Sequence, residues 1–202
     1  MRMKRDERRK QLMAVALDLF AQRGYDGVAV EEVAGAAGVS KPVVYEHFGG
    51  KDGLYQAVVE HEMAHLSGLL RAGFKDPATR PHQLLHTIVE ATFDYIDSNA
   101  AGFRLLSHQS LHAVEGGTFS TVITDVAEEL SDLLRQRFDE STALDPHSAP
   151  IYAQLLAGAL VQVGTWWADH REVPRGVMVD HVMNFLWAGL RGLQPLGVTT
   201  EG

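Results

Sequence analysis

Apolar residues recur at the three- and four-residue spacing of amphipathic helices along most of the chain. The first pattern covers 7–23 and meets Gly24, a residue that suits a helix C-terminus. Breakers at Gly73–Pro81 and Gly116–Gly117 separate the later patterns. Those patterns predict helices over 51–71, 82–98, a short segment through Phe103, Leu106 and His108, and 118–138. We therefore predict an all-α protein.

The last two predicted helices, 151–168 and 177–190, are apolar on most sides, and the first carries no charged residue. A helix that is apolar all round in a globular protein is buried on both sides. Segment 151–168 lies at the lower length limit for a membrane span and contains Gln154 and Gln162, so we do not expect insertion. The pattern instead favours one side against the body's own core and the other against a second subunit.

The stretch 28–51 has the pattern of a helix-turn-helix. Gly38 stands where the turn needs a positive φ, Ser40 is a suitable N-cap for the second helix, and Pro42 falls within that helix's first turn. The second helix is short and polar at its tip, which suits entry into a major groove. Buried positions are expected at Val33, Ala34, Ala37, Val39 and Val44.

Core aromatics and one long apolar stripe are predicted around this motif. Tyr25 is expected to close a small core with Phe20 and Phe48. The helix that begins at Lys51 connects the motif to the rest of the chain. Its inward positions are expected to be Leu54, Tyr55, Val58, Val59, Leu66, Leu69 and Leu70.

Composition changes this picture in two respects. The chain of 202 residues has no Cys, which excludes disulfides and thiolate metal sites, and we see no export signal, so we expect a cytoplasmic protein. The formal net charge is −8, yet residues 1–51 hold nine Lys and Arg against seven Asp and Glu. A basic head on an acidic body favours phosphate contacts from the head alone.

Together these residues resemble the TetR family of bacterial transcriptional regulators. The resemblance rests on LFAQRGY at 19–25, EEVAGAAGVSKPVVYEHF at 31–48, and Lys51 with Leu54. One departure is Ala29, where the family usually has a Ser or Thr that caps the helix and touches phosphate. The resemblance implies a three-helix DNA-binding head over 1–50, a connecting helix over 51–74, and a larger helical effector-binding and dimerisation body over 75–202.

The resemblance also implies a DNA contact for each exposed residue near the second motif helix. Lys41, Pro42 and Val43 would approach base edges and adjacent backbone, and Ser40 would add a backbone contact. Contacts to phosphate would come from Tyr45, His47 and Lys51. As a homodimer the protein would bind a palindromic operator of double-stranded DNA, because two short helices are needed to specify one site.

For the body, the resemblance implies a pocket for a small effector and a four-helix dimer interface. Aromatic and Met side chains suggest a mainly apolar ligand that releases the DNA, which makes a repressor our favoured interpretation. Candidate pocket residues are Met63, Leu66, His86, Val89, Phe93, Phe103, Leu106, Gln162 and Trp166. Candidate interface residues are Leu155, Ala159, Val163, Val182, Leu186 and Leu190.

Two alternatives remain open. His61-Glu62-x-x-His65 matches the H-E-x-x-H zinc motif, with Glu62 as base, but Arg71 stands where the longer pattern needs a third His. The pairs His82/His86 and His108/His112 are further possible metal pairs. We expect no catalytic site, metal or cofactor. An architectural DNA-binding protein without effector is the other alternative, and it predicts salt-sensitive binding with little sequence preference.

Overall fold

The computed structural model describes residues 4–73, 80–107, 119–141 and 144–194, and in these ranges the chain is helical throughout its regular structure. The all-α prediction is confirmed. His108, His112, Gly116 and Gly117 lie outside the described residues. The helices are α1 (Arg5–Arg23), α2 (Val30–Ala36), α3 (Lys41–Phe48), α4 (Lys51–Gly73), α5 (Pro81–Ser98), α6 (Ala100–Ser107), α7 (Phe119–Ser141), α8 (Ala149–Asp169) and α9 (Arg175–Arg191).

Local sequence signals explain where these helices begin and end. Helix α1 ends at Arg23, and the next residue, Gly24, is its C-cap. Gly24 has a φ of 69°, which glycine adopts without strain, and its N–H donates to the Phe20 carbonyl at 2.9 Å. The helix starts at Arg5, two residues before the predicted start, and the Glu7 carboxylate accepts from the Lys4 N–H at 3.1 Å. Helix α5 opens on Pro81, which has no N–H to leave unpaired.

Contacts divide the chain into two compact units, Met1–Gly68 with Tyr95–Val122, and Leu69–Asp94 with Ile123–Gly202. Helices α4 and α5 each contribute to both units. The functional division predicted at residues 50 and 74 concerns DNA and effector binding, so it stays a prediction.

The core of the first unit is built around a cluster of three aromatic rings. Tyr55 meets Phe20 and Tyr25 edge to face, with ring centroids 5.0 Å apart in both pairs. Phe20 is buried, whereas Tyr25 is only half-buried. Phe48, the predicted third member, is half-buried, and the Arg9 guanidinium lies 4.3 Å from its ring centroid. Tyr55 completes the cluster because it lies on the inner stripe of α4.

That inner stripe of α4 agrees with the predicted one except at one position. Leu54, Tyr55, Val58, Val59, Leu66 and Leu70 are all buried. Leu69 is 36% exposed, so its predicted inward placement was wrong. Leu66 and Leu70 are four residues apart and share a face, while Leu69 is turned about 100° from Leu70.

A buried polar junction joins α4 to the α5–α6 corner within the first unit. Glu62 on α4 is 4% exposed, and its Oε2 accepts from Tyr95 Oη at 2.9 Å and Asn99 Nδ2 at 2.5 Å. Asn99 also caps α6, because its Oδ1 accepts from the Gly102 N–H at 3.1 Å. We call Glu62, Tyr95, Asn99 and Gly102 the Glu62 junction. Helix α6 packs against α1. The junction therefore also holds in place the helix that covers α1.

The second unit has an aromatic core and two polar ties. The Phe93 and Trp167 rings meet at 5.3 Å, and Trp167 Nε1 donates to the Val173 carbonyl at 2.8 Å. Arg175 at the start of α9 donates to Asp94 at 3.0 Å. Within the described residues, none of the helices is long and apolar enough to span a membrane, which agrees with the interpretation of 151–168.

Candidate nucleic-acid interface

The turn between α2 and α3 has the geometry that its sequence predicts. Gly38 has φ +66°, a conformation that a side chain disfavours, and the Val39 N–H donates to the Ala34 carbonyl at 2.9 Å. Val44 is fully buried and anchors α3 to the unit. Ser40 occupies the N-cap position as predicted, although its side chain makes no capping hydrogen bond.

The predicted DNA-contacting residues lie on the outer side of α3 and at the start of α4. Ser40, Lys41 and Pro42 are exposed, and the Tyr45 side chain is 45% exposed. Val43, His47 and Lys51 are half-buried. The structure therefore leaves an open row along α3 with Val44 behind it, which is the arrangement that groove entry needs.

Lys41 is engaged in the DNA-free protein. Its Nζ lies 2.5 Å from the Glu31 carboxylate on α2 and 5.5 Å from the centroid of the Tyr45 ring. The hydrogen bond with Glu31 raises the pKa of Lys41, and Lys41 lowers the pKa of Glu31 in turn. Both side chains are exposed, so a phosphate can replace the carboxylate as partner.

Glu31→Gln is expected to tighten DNA binding about two- to five-fold, because Lys41 no longer has to leave a carboxylate. Glu46→Gln is the matched control, since it removes the same charge from α3 without touching the Lys41 pair. The measurement is fluorescence anisotropy with a promoter fragment at fixed salt. Equal gains from both variants would attribute the effect to net charge alone.

The far end of α3 is held by α1. Arg9 donates to the His47 carbonyl at 2.8 Å while its guanidinium covers the Phe48 ring. A cation at a helix C-terminus stabilises the last carbonyls. Sequence reasoning missed this contact, since 38 positions separate Arg9 from His47 and no local pattern signals it.

The start of α4 is organised around Tyr25. Lys51 Nζ lies 4.2 Å from the Tyr25 ring centroid, and the Tyr25 hydroxyl donates to Asp52. That hydrogen bond is the main reason that the pKa of Tyr25 rises to about 12. Tyr25 therefore positions the lysine that is predicted to meet phosphate, a role beyond the core packing that its sequence indicated.

Ala29 leaves α2 without a capping side chain, and Glu32 compensates for part of that loss. The Glu32 carboxylate accepts from the Ala29 N–H at 2.8 Å and pairs with Arg23 at 2.9 Å. These two contacts lower the pKa of Glu32, with the Arg23 hydrogen bond the larger cause. The helix start is thus held without the hydroxyl that the family usually has here.

The candidate pocket residues are distributed over both units. Met63, Leu66, Phe103 and Leu106 belong to the first, and all except half-buried Met63 are buried. In the second unit, Val89 and Phe93 are fully buried and His86 pairs with Glu90 at 3.3 Å. Gln162 and Trp166 are exposed on α8, where Trp166 stacks on His170 at 4.2 Å. Their role in effector binding stays a prediction.

Helices α8 and α9 carry large apolar side chains on their exposed sides. Leu155 is 63% exposed and Phe185 75%. The other exposed apolar residues of this pair are Ile151, Trp166 and Val177. We call these five residues the α8–α9 apolar face. Large exposed apolar side chains on one pair of helices are typical of an interaction site.

The predicted interface residues fall on both sides of these helices. Leu155 belongs to the α8–α9 apolar face, and Ala159, Val163 and Leu190 are half-buried. Val182 and Leu186 are 8% and 7% exposed, so they pack inside the subunit rather than on its surface. Sequence reasoning missed Phe185, although Val177, His181 and Phe185 form a second stripe at four-residue spacing.

The H-E-x-x-H residues do not form a zinc site in this arrangement. Glu62 is committed to the Glu62 junction, and the His65 ring meets the Tyr95 ring edge on at 5.4 Å. Within the described residues, no three His, Cys, Asp or Glu side chains are placed to hold a metal ion. Glu62 and His65 both contact Tyr95 instead.

Sequence comparison decides the family. A model described as "Bacterial regulatory proteins, tetR family" matches 12–58, and one described as "Tetracyclin repressor-like, C-terminal domain" matches 69–195. The chain belongs to the TetR family of bacterial transcriptional regulators. It is 32% identical over 190 residues to the HTH-type transcriptional activator FasR of Mycolicibacterium smegmatis. The aligned region covers 94% of this chain and 85% of FasR. The resemblance predicted from the motif residues is confirmed.

Solved structures of TetR-like proteins have the same fold. A TetR-like transcriptional regulator from Rhodococcus sp. RHA1 gives a TM-score of 0.80 at 23% identity, over 95% of this chain and 100% of that one. The fatty acid degradation regulator FadR from Bacillus halodurans gives 0.70 at 21% identity, over 92% and 99%. As a TetR-family regulator the protein is a DNA-binding protein and not an enzyme, so the zinc-hydrolase alternative is set aside.

Proposed function

We propose that this TetR-family regulator is a cytoplasmic homodimer that binds a palindromic operator through α3 and leaves it when a small, mainly apolar ligand binds the body. The observation that carries the DNA part is the exposed row of Lys41, Pro42 and Tyr45 on a helix fixed from behind by Val44. Lys51, above the Tyr25 ring, extends the row toward the neighbouring phosphates.

The α8–α9 apolar face supports the homodimer. Phe185 and Leu155 are largely exposed, and a second copy would cover them with the same surface. Gly158 on α8 and Gly189 on α9 have open space where a side chain would stand. The backbone of a second subunit could therefore approach these helices closely. Stable interfaces of this kind bury about 2,000 Å² or more.

Relatives suggest the ligand class. FadR of Bacillus halodurans is named for fatty acid degradation, and this chain's candidate pocket residues are mostly apolar. A long acyl chain would find dispersion contacts with such residues, and a ligand must prefer the state that does not bind DNA by about 1–3 kcal/mol to act as a release signal. A fatty acid derivative is therefore our first effector candidate.

Lys41→Ala and Tyr45→Ala are each expected to weaken operator binding roughly 10- to 100-fold, because each removes a contact from the short recognition helix. Arg135→Ala on α7 is the control, since it removes an exposed cation from the body. Binding is measured with a fragment from upstream of the protein's own gene against random DNA. Full binding by both α3 variants would overturn the proposed DNA-binding surface.

Transcription in vitro tests the repressor assignment. We expect the protein to lower transcript from the bound promoter and acyl ligands to restore it. FasR is named an activator, so a rise in transcript on adding the protein would replace repression by activation. Equal binding to operator and random DNA would instead favour the architectural alternative.

A further inference from the structure

A cleft of about 690 Å³ lies between α1 and α4 within the first unit. Its volume is in the range of small-molecule sites. The walls are partly apolar, with Met13 and Leu17 from α1 and Ala57 and Val58 from α4. Val58 and Glu62 are the most buried of the lining residues, at 1% and 4% exposure, and they form its floor.

Glu62 is a buried carboxylate without a cation. Both of its hydrogen bonds come from neutral donors, Tyr95 and Asn99, and both reach Oε2. Among the described residues, none donates a hydrogen bond to Oε1 or forms an ion pair with Glu62. The negative charge also acts on its neighbour, since burial and then Glu62 raise the pKa of the Tyr95 phenol. Buried charges in proteins are normally paired, so this one calls for a positive partner.

The cations that line the cleft do not supply that partner. Arg9 donates to the His47 carbonyl and covers the Phe48 ring, which directs its guanidinium toward α3. Lys10 is exposed. Two further carboxylates, Asp6 and Glu60, stand at the exposed part of the cleft.

We propose that the α1–α4 cleft binds an organic ammonium ion with an apolar body, with Glu62 as its counter-ion. The ammonium group pairs with the Glu62 carboxylate, and the apolar body lies along Met13, Leu17 and Val58. The junction preorganises the site, because Tyr95 and Asn99 hold the carboxylate in one orientation before the ligand arrives. This cleft is a different site from the effector pocket proposed for the body.

A series of equal-length probes tests the charge requirement. Octylamine, octan-1-ol and octanoate are titrated at pH 7 into full-length protein labelled at its alanine methyl groups, and NMR follows Ala14 and Ala57 in the cleft. We expect octylamine to shift both methyl signals with a Kd at least ten-fold below that of octan-1-ol, and octanoate to bind more weakly still. Equal affinities for the three, or shifts that spare both alanines, would overturn the proposal.

Glu62→Gln isolates the counter-ion, because the amide oxygen can still accept from Tyr95 and Asn99. The variant is expected to lose at least ten-fold in octylamine affinity and none for octan-1-ol, whereas Glu128→Gln on α7 should change neither. Ala57→Phe keeps the junction and fills the cleft, so it should abolish the Ala14 shift, the one that remains observable in this variant, even if Glu62→Gln folds poorly. An octylamine affinity that is unchanged in either folded variant would disprove the site.

Discussion

Gly102→Ala is expected to lower the free energy of unfolding by about 3 kcal/mol, the cost of overpacking together with damaged buried hydrogen bonds. A Cβ at this position would lie 2.7 Å from Tyr95 Oη, 2.5 Å from Asn99 Nδ2, and in contact with Glu62 Oε2. These are terminal atoms of side chains, but the side chains cannot move aside freely because Tyr95 and Asn99 both donate to the buried Glu62. Urea denaturation followed by circular dichroism measures the change.

Gly68→Ala is the matched control for that experiment. Gly68 lies within α4, is exposed, and has no atom within 4 Å of an added Cβ. Alanine there should raise stability by roughly 0.5–1 kcal/mol through helix propensity alone. A Gly102→Ala protein as stable as the Gly68→Ala protein would show that the Glu62 junction is looser than its distances indicate.

Phe185→Glu is expected to weaken the proposed homodimer roughly 100-fold or more, because a carboxylate would replace the most exposed aromatic of the face proposed as its interface. Phe185 is 75% exposed, so the isolated subunit should keep its fold. Operator binding should fall with dimerisation, since one recognition helix contacts too few bases. Analytical ultracentrifugation gives the oligomeric state, and circular dichroism shows whether the helices remain.

Val182→Ala separates that effect from loss of packing. Val182 lies on the inner side of α9, so the variant should lose stability but still dimerise when folded. Glu128→Lys on α7 supplies a charge change outside the α8–α9 apolar face. A Phe185→Glu protein that remains dimeric would move the predicted interface away from this face.

Helix positions were predictable because their signals are local. Gly24, Gly38 and Pro81 each impose a backbone conformation on their own segment. The start of α3 at Lys41 follows from the turn at Gly38. The inward positions of α4 were also predicted correctly from the sequence, except Leu69. The candidate DNA-contacting row follows for the same reason, since it is the side of α3 opposite Val44.

Other features depend on residues that are distant in sequence. In α9 both sides are apolar, so its periodicity does not show which side faces inward, and the predicted interface residues Val182 and Leu186 are buried within the subunit. Likewise, the Arg9 contact spans 38 positions and the Glu62 junction 33 or more. The local H-E-x-x-H pattern therefore indicated Glu62 as a zinc-site base, although its hydrogen-bond partners are Tyr95 on α5 and Asn99 just before α6.

The discontinuity of the first unit has a consequence for how the protein is made. Its chain leaves at Gly68 and returns at Tyr95, and α1 packs on α6. During synthesis, α1 to α3 emerge well before the helix that covers α1, so the nascent head must wait for some fifty more residues before its packing is complete. Ribosomes stalled before Tyr95 should carry a protease-sensitive head, and those stalled after α6 has left the exit tunnel a resistant one.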